Sequence, residues 1–158
     1  MSTCAVPFLQ SNVLVKRPPE EIRAAIMRFE KVIEKLSGAF FSENNVCPLK
    51  HSFANGVYVR EIFMPKGLII VGKIHKYAHP NFLMQGEVLV VTEHDDVQHL
   101  IAPFSMISQA GTKRVVFTLQ DTVWITIHVT DKTDKTSTIA EIESDIVVQN
   151  YNELSMKK

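Results

Sequence analysis

Gly72-Lys73-Ile74-His75-Lys76-Tyr77-Ala78-His79 runs on through Asn81-Phe82-Leu83-Met84-Gln85-Gly86 into Glu87-Val88-Leu89-Val90. Two histidines stand four residues apart between short β-rich runs, and a glycine follows the second one seven residues on. Side chains two apart on a strand share a face, so a strand over 68–75 puts Val71, Lys73 and His75 on one side. Upstream, Ala54-Asn55-Gly56 signals a turn, and 57–64 alternates, with Tyr58, Arg60 and Ile62 opposite Val59, Glu61 and Phe63. Downstream, 82–93 reads as a strand broken near Gly86, followed by short strands at 97–102, 105–108, 114–119 and 123–130. Strands repeating at roughly 8 to 12 residues indicate a sandwich or barrel. On the last strand Trp124, Thr126 and His128 share one face. Val123, Ile125, Ile127 and Val129 share the other, and that aliphatic face needs cover from the first helix or a second subunit.

The two ends read as helical. Pro18 and Pro19 suit a first turn, where a missing N–H loses nothing, and Glu20 and Glu21 favour its positive end. Ile22, Ile26, Phe29, Ile33 and Leu36 make one apolar stripe, with Gly38 as the stop, so an amphipathic helix is expected over 18–38. Thr138-x-x-Glu141 has capping-box spacing ahead of Ile139, Ile142 and Ile146, giving a short helix within 137–148. Residues 2–6 are expected to fray and 13–15 to form an edge strand or arm. No repeat or linker divides the chain, so 1–158 is one domain with a barrel core over 55–130.

Composition fits this. The chain has 158 residues, 46% hydrophobic and 22% charged, enough for one buried core. Seventeen basic and seventeen acidic residues cancel, so no global field favours nucleic acid or an anionic membrane. No apolar run is long enough to span a bilayer, and the N-terminus lacks a signal-peptide layout. Cys4 and Cys47 form no Cys-x-x-Cys pair, and a reduced cytoplasmic compartment is the simplest expectation.

Anchored on Gly86, the quoted stretch resembles the first sequence motif of the cupin superfamily, a small β-barrel that holds metals or small polar ligands in its lumen. His79 falls where the family has glutamate, His75 matches the second histidine, and Lys73 stands where the first histidine belongs. Pro65-x-Gly67 resembles the turn before that motif. Pro103 and Gly111-Thr112-Lys113-Arg114 resemble the second motif, with Arg114 in place of its histidine. The match covers 57–129. Gly56-x-Tyr58-x-Arg60-Glu61, Gly72-Lys73-Ile74-His75-Lys76 and Asp121-Thr122-x-Trp124-x-Thr126-Ile127-His128 further resemble uncharacterised cupin-like proteins of tailed bacteriophages. The resemblance implies a double-stranded β-helix (jelly-roll) barrel, a homodimer, and work in the host cytoplasm or in the virion.

Three readings of the lumen follow. The first expectation is a metal-free pocket for a small anion such as a nucleotide or sugar phosphate. Arg60, Lys73 and Arg114 supply charge, Tyr58 or Trp124 a stacking surface, Gln85 a polar contact, and His75 and His79 acid or base. The second is one divalent transition metal on His75, His79 and His128, with an oxygen from Glu61 or Gln85 where register allows. The third is a structural virion or assembly role, with the histidines as satisfied core residues. Trp124 reads first as core. Lys113 is expected to point outward, His94 and His99 to be exposed, and 93–96 to be a solvated turn. No phosphate-binding glycine loop and no Gly-x-Ser-x-Gly elbow is present.

Overall fold

The computed structural model describes residues 17–38, 46–95 and 97–155. The expected arm at 13–15, the fraying 2–6 and Cys4 lie outside them. The elements in order are α1 (Pro19–Ile33), β1 (Leu49–Ala54), β2 (Val57–Met64), β3 (Ile69–Val71), β4 (Ile74–His75), β5 (His79–Gln85) and β6 (Glu87–Thr92). There follow β7 (Gln98–Ile101), β8 (Phe104–Ser108), β9 (Arg114–Thr118), β10 (Thr122–Val129), α2 (Ile139–Ile146), β11 (Val147–Val148) and α3 (Asn152–Ser155).

Two antiparallel sheets carry the fold, in the orders β1-β2-β10-β5-β8 and β3-β9-β6-β7. From β2 onward the chain steps from one sheet to the other and back, so strands distant in sequence become neighbours. That winding is the jelly roll, the double-stranded β-helix of cupins. The inner faces meet in a core of Met64, Leu83, Val88, Val90, Leu100, Val116 and Trp124. The mainly β architecture with a helix at each end agrees with the sequence expectation.

Several details differ from it. The expected strand over 68–75 is two strands separated at Gly72-Lys73, and β4 pairs with β11 rather than continuing β3. The segment read as one broken strand over 82–93 is a hairpin that begins earlier, at His79. β1, outside the expected core of 55–130, pairs along its whole length with β2. α1 ends at Ile33, short of Gly38, and of its stripe only Ile26 is buried, since Phe29 and Leu36 are exposed. α2 matches its expectation closely: Thr138 accepts from the Glu141 N–H, and Glu141 closes the capping box.

Two charged residues expected at the surface are inside. Lys113 is buried and its Nζ lies 2.8 Å from Glu30 of α1. Glu93 is fully buried, receiving Arg23 of α1 at 3.3 Å and the Lys113 backbone N–H at 3.2 Å. A carboxylate without water needs such partners, and these two ion pairs dock α1 against the second sheet. The described contacts of α1 therefore go there, and not to the aliphatic face of β10, where Val129 stays 89% exposed.

Gly86, between β5 and β6, has φ +92°, and a Cβ there would lie 2.5 Å from the Asp121 carbonyl oxygen. Both the left-handed backbone and the missing side chain are required. Gly86→Ala is expected to cost about 2–4 kcal/mol of stability, combining backbone strain and overpacking. Urea unfolding of wild type and variant measures it, and an unchanged midpoint would contradict this account of the turn.

Candidate functional site

The inner face of the larger sheet changes character along its strands. On β2 the inward side chains run Tyr58, Arg60, Ile62, Met64; on β10 they run His128, Thr126, Trp124, Thr122. Register pairs His128 with Tyr58, Thr126 with Arg60 and Trp124 with Ile62, and on β5 Thr126 faces Asn81 and Trp124 faces Leu83. One end of the barrel is thus a row of ring nitrogens and hydroxyls, the middle is polar, and the other end is apolar. A cavity of about 750 Å³ opens along this gradient, with Ile33 and Leu36 at its rim.

His75, His79 and His128 converge at the polar end. Their ring centroids are 4.2 Å (His75–His79), 4.9 Å (His75–His128) and 4.6 Å (His79–His128) apart. One ring nitrogen from each lies within 4.8 Å of the others. His79 Nδ1 is 3.1 Å from the Tyr77 carbonyl. A carbonyl only accepts, so Nδ1 holds the proton and Nε2 keeps its lone pair. His75 Nδ1 and His128 Nε2 are buried with no hydrogen-bond partner among the described residues. Burial, then the neighbouring imidazoles and the guanidinium groups, push His75 down to about 2. Burial, then His79 and Arg60, push His128 down to about 4. His79 is lowered too, by burial first. All three are neutral near pH 7, the form that ligates metal.

His75 is placed by elements that a strand pattern does not show. β11 pairs Val147 with His75, the Lys76 N–H donates to the Ile146 carbonyl at 2.7 Å, and the Gly111 N–H donates to the His75 carbonyl at 2.8 Å. The turn before β9 and the exit from α2 therefore hold the backbone on either side of the ring.

Glu143, on α2, closes the mouth electrostatically. Its carboxylate lies 2.6 Å from Lys73 Nζ and 3.3 Å from Arg60 Nε. Burial alone would raise it, but the Lys73 hydrogen bond and the charges of Lys73 and Arg60 outweigh that and hold it below the ordinary range. Arg114 is treated differently. Nη1 donates to Asn81 Oδ1 at 3.2 Å, Nη2 donates to Ser108 Oγ, and the guanidinium lies 5.6 Å from the Trp124 ring. Among the described residues no carboxylate is within ion-pair reach of it. Burial pushes it down to about 10 against the longer-range pull of Glu93.

The structure is similar to several solved jelly rolls. KdgF from Halomonas sp. superposes at TM-score 0.49 with 12% identity, over 61% of this chain and 91% of that one. A cupin superfamily protein from Desulfitobacterium hafniense gives TM-score 0.47 with 12% identity, over 61% and 88%. An RmlC-like cupin from Methanocaldococcus jannaschii gives TM-score 0.45 with 11% identity, over 57% and 85%. No protein-family model and no curated sequence matches the chain.

Of the residues singled out from sequence, Tyr58, Arg60, Lys73, His75, His79, Arg114, Trp124 and His128 all line the cavity. Gln85 does not: it is exposed at the end of β5, where Nε2 donates to the Asp121 carbonyl at 3.5 Å. Glu61 alternates with the inward Arg60 and faces outward, so neither supplies the expected oxygen. Tyr58 is buried and its hydroxyl is 2.7 Å from His51 Nδ1; burial, then Glu143, push it up to about 12, so it stays protonated. Glu143, Asn81 and Ser108 were missed. Only the capping box hinted at Glu143, since it fixes which side of α2 carries Ile142 and Ile146 into the core and leaves Glu143 beside them.

The buried neutral imidazoles set a pH dependence. In each the folded value lies below the unfolded value near 6.5. Their stabilising contribution is therefore complete above pH 6.5 and is lost as pH falls through the folded values. In chelator-treated protein, stability is expected to drop by on the order of 1–3 kcal/mol between pH 6.5 and 5, before ordinary carboxylates titrate. Thermal melts across that interval read the slope, and a flat profile would show that these rings are not buried uncharged.

Proposed function

We propose that this jelly roll binds one divalent transition-metal ion on His75, His79 and His128, inside a pocket that also receives a small anionic molecule. The observation that carries the reading is the convergence of three neutral imidazoles, two of which, His75 and His128, bury a ring nitrogen with no hydrogen-bond partner among the described residues. A buried lone pair or N–H without a partner costs about 1–3 kcal/mol, which a ligand shared by these rings would offset, and one ring nitrogen from each of the three lies within 4.8 Å of the others. The donor set fits a borderline metal such as zinc, iron, nickel or manganese. It offers three imidazoles, a Tyr77 carbonyl that orients His79, and room on the cavity side for a further ligand. A metal held there would supply Lewis-acid polarisation of a bound oxygen or a lowered pKa of a bound water.

The chain's own residues have separate parts. Tyr77 fixes the His79 tautomer, and the β11 pairing fixes His75. Glu143 pairs with both Lys73 and Arg60 and offsets one of their two charges, while Arg114 has no carboxylate partner among the described residues. The wall carries Arg60, Lys73 and Arg114 against Glu30, Glu34 and Glu143, so the lining charges balance in number. The local demand for an anion comes from Arg114, whose described partners are neutral, and a metal would add to it. The pocket thus calls for an anion with or without the ion, and a metal-free anion site is the second reading, favoured by Arg114. A homodimer covering the aliphatic face of β10 is part of the same proposal.

Elemental analysis of purified protein decides between the two. Near one equivalent of a transition metal is expected in wild type, with loss of at least nine-tenths of it in both His79→Ala and His128→Ala. Wild-type protein that stays metal-free after incubation with zinc, manganese, iron(II) and nickel would remove the first reading and leave the second.

A further inference from the structure

The polarity gradient of the cavity defines the shape of its ligand. We infer that the pocket takes an amphiphilic anion: an oxyanion head, carboxylate or phosphate, held by Arg114 beside the histidines, and an apolar body lying toward Ile62, Met64 and Trp124. This rests on the pocket being a ligand site, as proposed above, but not on a metal being present in it.

The head is placed by Arg114. A guanidinium has five N–H donors; Asn81 and Ser108 take one each, and both acceptors are neutral. A positive charge lying inside a barrel without a carboxylate is costly, whereas the buried cation just before this strand, Lys113, has Glu30 at 2.8 Å. The contrast between adjacent residues is informative. Lys113 is neutralised by the fold, and Arg114, which lines the cavity, is left for something that enters it. Its remaining donors suit an oxyanion, which the guanidinium fork recognises well.

The body is placed by the strand register. Inward rows on a strand are about 7 Å apart. One row beyond Arg60, Thr126 and Asn81 lie Ile62, Trp124 and Leu83, and beyond them Met64, with Ile70 and Val116 packed against the same cluster. The indole N–H of Trp124 already donates to Asn81 at 3.0 Å, so the ring offers the cavity its hydrocarbon surface. A sugar or nucleoside body would set hydroxyls against these apolar side chains at the cost of their hydration. This departs from the nucleotide or sugar phosphate suggested by residue types alone. A cavity of about 750 Å³ has room for an apolar body of this kind.

Calorimetric titration of the full chain, once chelator-treated and once reloaded with zinc, tests this with octanoate and octyl phosphate as probes. The comparisons are octanol (no charged head), acetate and inorganic phosphate (no body), and glucose 6-phosphate (polar body). At least one charged eight-carbon probe is expected to bind on the order of tenfold or more tighter than every comparison, in chelator-treated protein as well as reloaded protein. Arg114→Met is expected to weaken that probe by tenfold or more while leaving octanol unchanged, and Arg114→Lys to restore part of the loss. Octanoate and octyl phosphate binding no better than octanol, or no better than acetate and phosphate, would overturn the inference even if Arg114→Met failed to fold. Tighter binding of glucose 6-phosphate would overturn the apolar body. Metal-free protein that still binds octanoate separates this inference from the metal site, and metal-loaded protein that ignores it separates them the other way.

Discussion

Asn81 spends its amide inside the barrel, and the polar half of the lumen is arranged around it. Oδ1 accepts from Trp124 Nε1 at 3.0 Å and from Arg114 Nη1 at 3.2 Å, while Nδ2 donates to Ser108 Oγ at 2.9 Å and to the His79 carbonyl at 3.1 Å. One side chain thus connects β5, β8, β9 and β10 across both sheets. Buried polar groups persist only when partnered, and a network with every member satisfied is rigid in a way that apolar contacts are not. Asn81 makes it possible for an arginine and an indole N–H to lie within a hydrophobic barrel.

Where that satisfaction stops, the site begins. Among the described residues His75 Nδ1 and His128 Nε2 have no hydrogen-bond partner, and the nearby Arg60 Nε has only its ion-pair contact with Glu143. Charge follows the same division. Glu93 serves Arg23, Glu30 serves Lys113, and Glu143 serves both Lys73 and Arg60, leaving Arg114 with neutral acceptors only. The first three arrangements hold elements together: α1 to the second sheet, and α2 to the mouth of the barrel. The last ties β9 to β5 and β8 through neutral acceptors alone, which leaves its charge for a ligand.

Glu143 also accounts for one of the two departures that made the sequence look least suited to a metal. Lys73 stands where the motif that this stretch resembles has a histidine, and a cation beside a metal site is unfavourable. Its ammonium is 2.6 Å from Glu143, so its charge is shared with a carboxylate that the motif does not contain. Arg114 has no such compensation. Of the two cations at these positions, Lys73 is paired with a carboxylate and Arg114 meets neutral acceptors only.

Periodicity alone determined a good part of this protein. Alternation over 57–64 and 122–129 put Tyr58, Arg60, Trp124 and His128 on inward faces, because a strand's period of two leaves no choice once one face is buried. The capping box at Thr138 and Glu141 started α2 where the sequence indicated, since both partners of that bond lie within one turn. Tertiary structure alone decided the rest. The break at Gly72-Lys73 comes from β4 pairing with β11, the burial of Lys113 and Glu93 from the docking of α1, and the exposure of Gln85 from the hairpin at Gly86. Glu143 reaches Lys73 across seventy residues of chain. Local spacing fixes which way a side chain points relative to its own strand or helix. Which charge it meets depends on how distant segments pack, and no pattern within one segment carries that information.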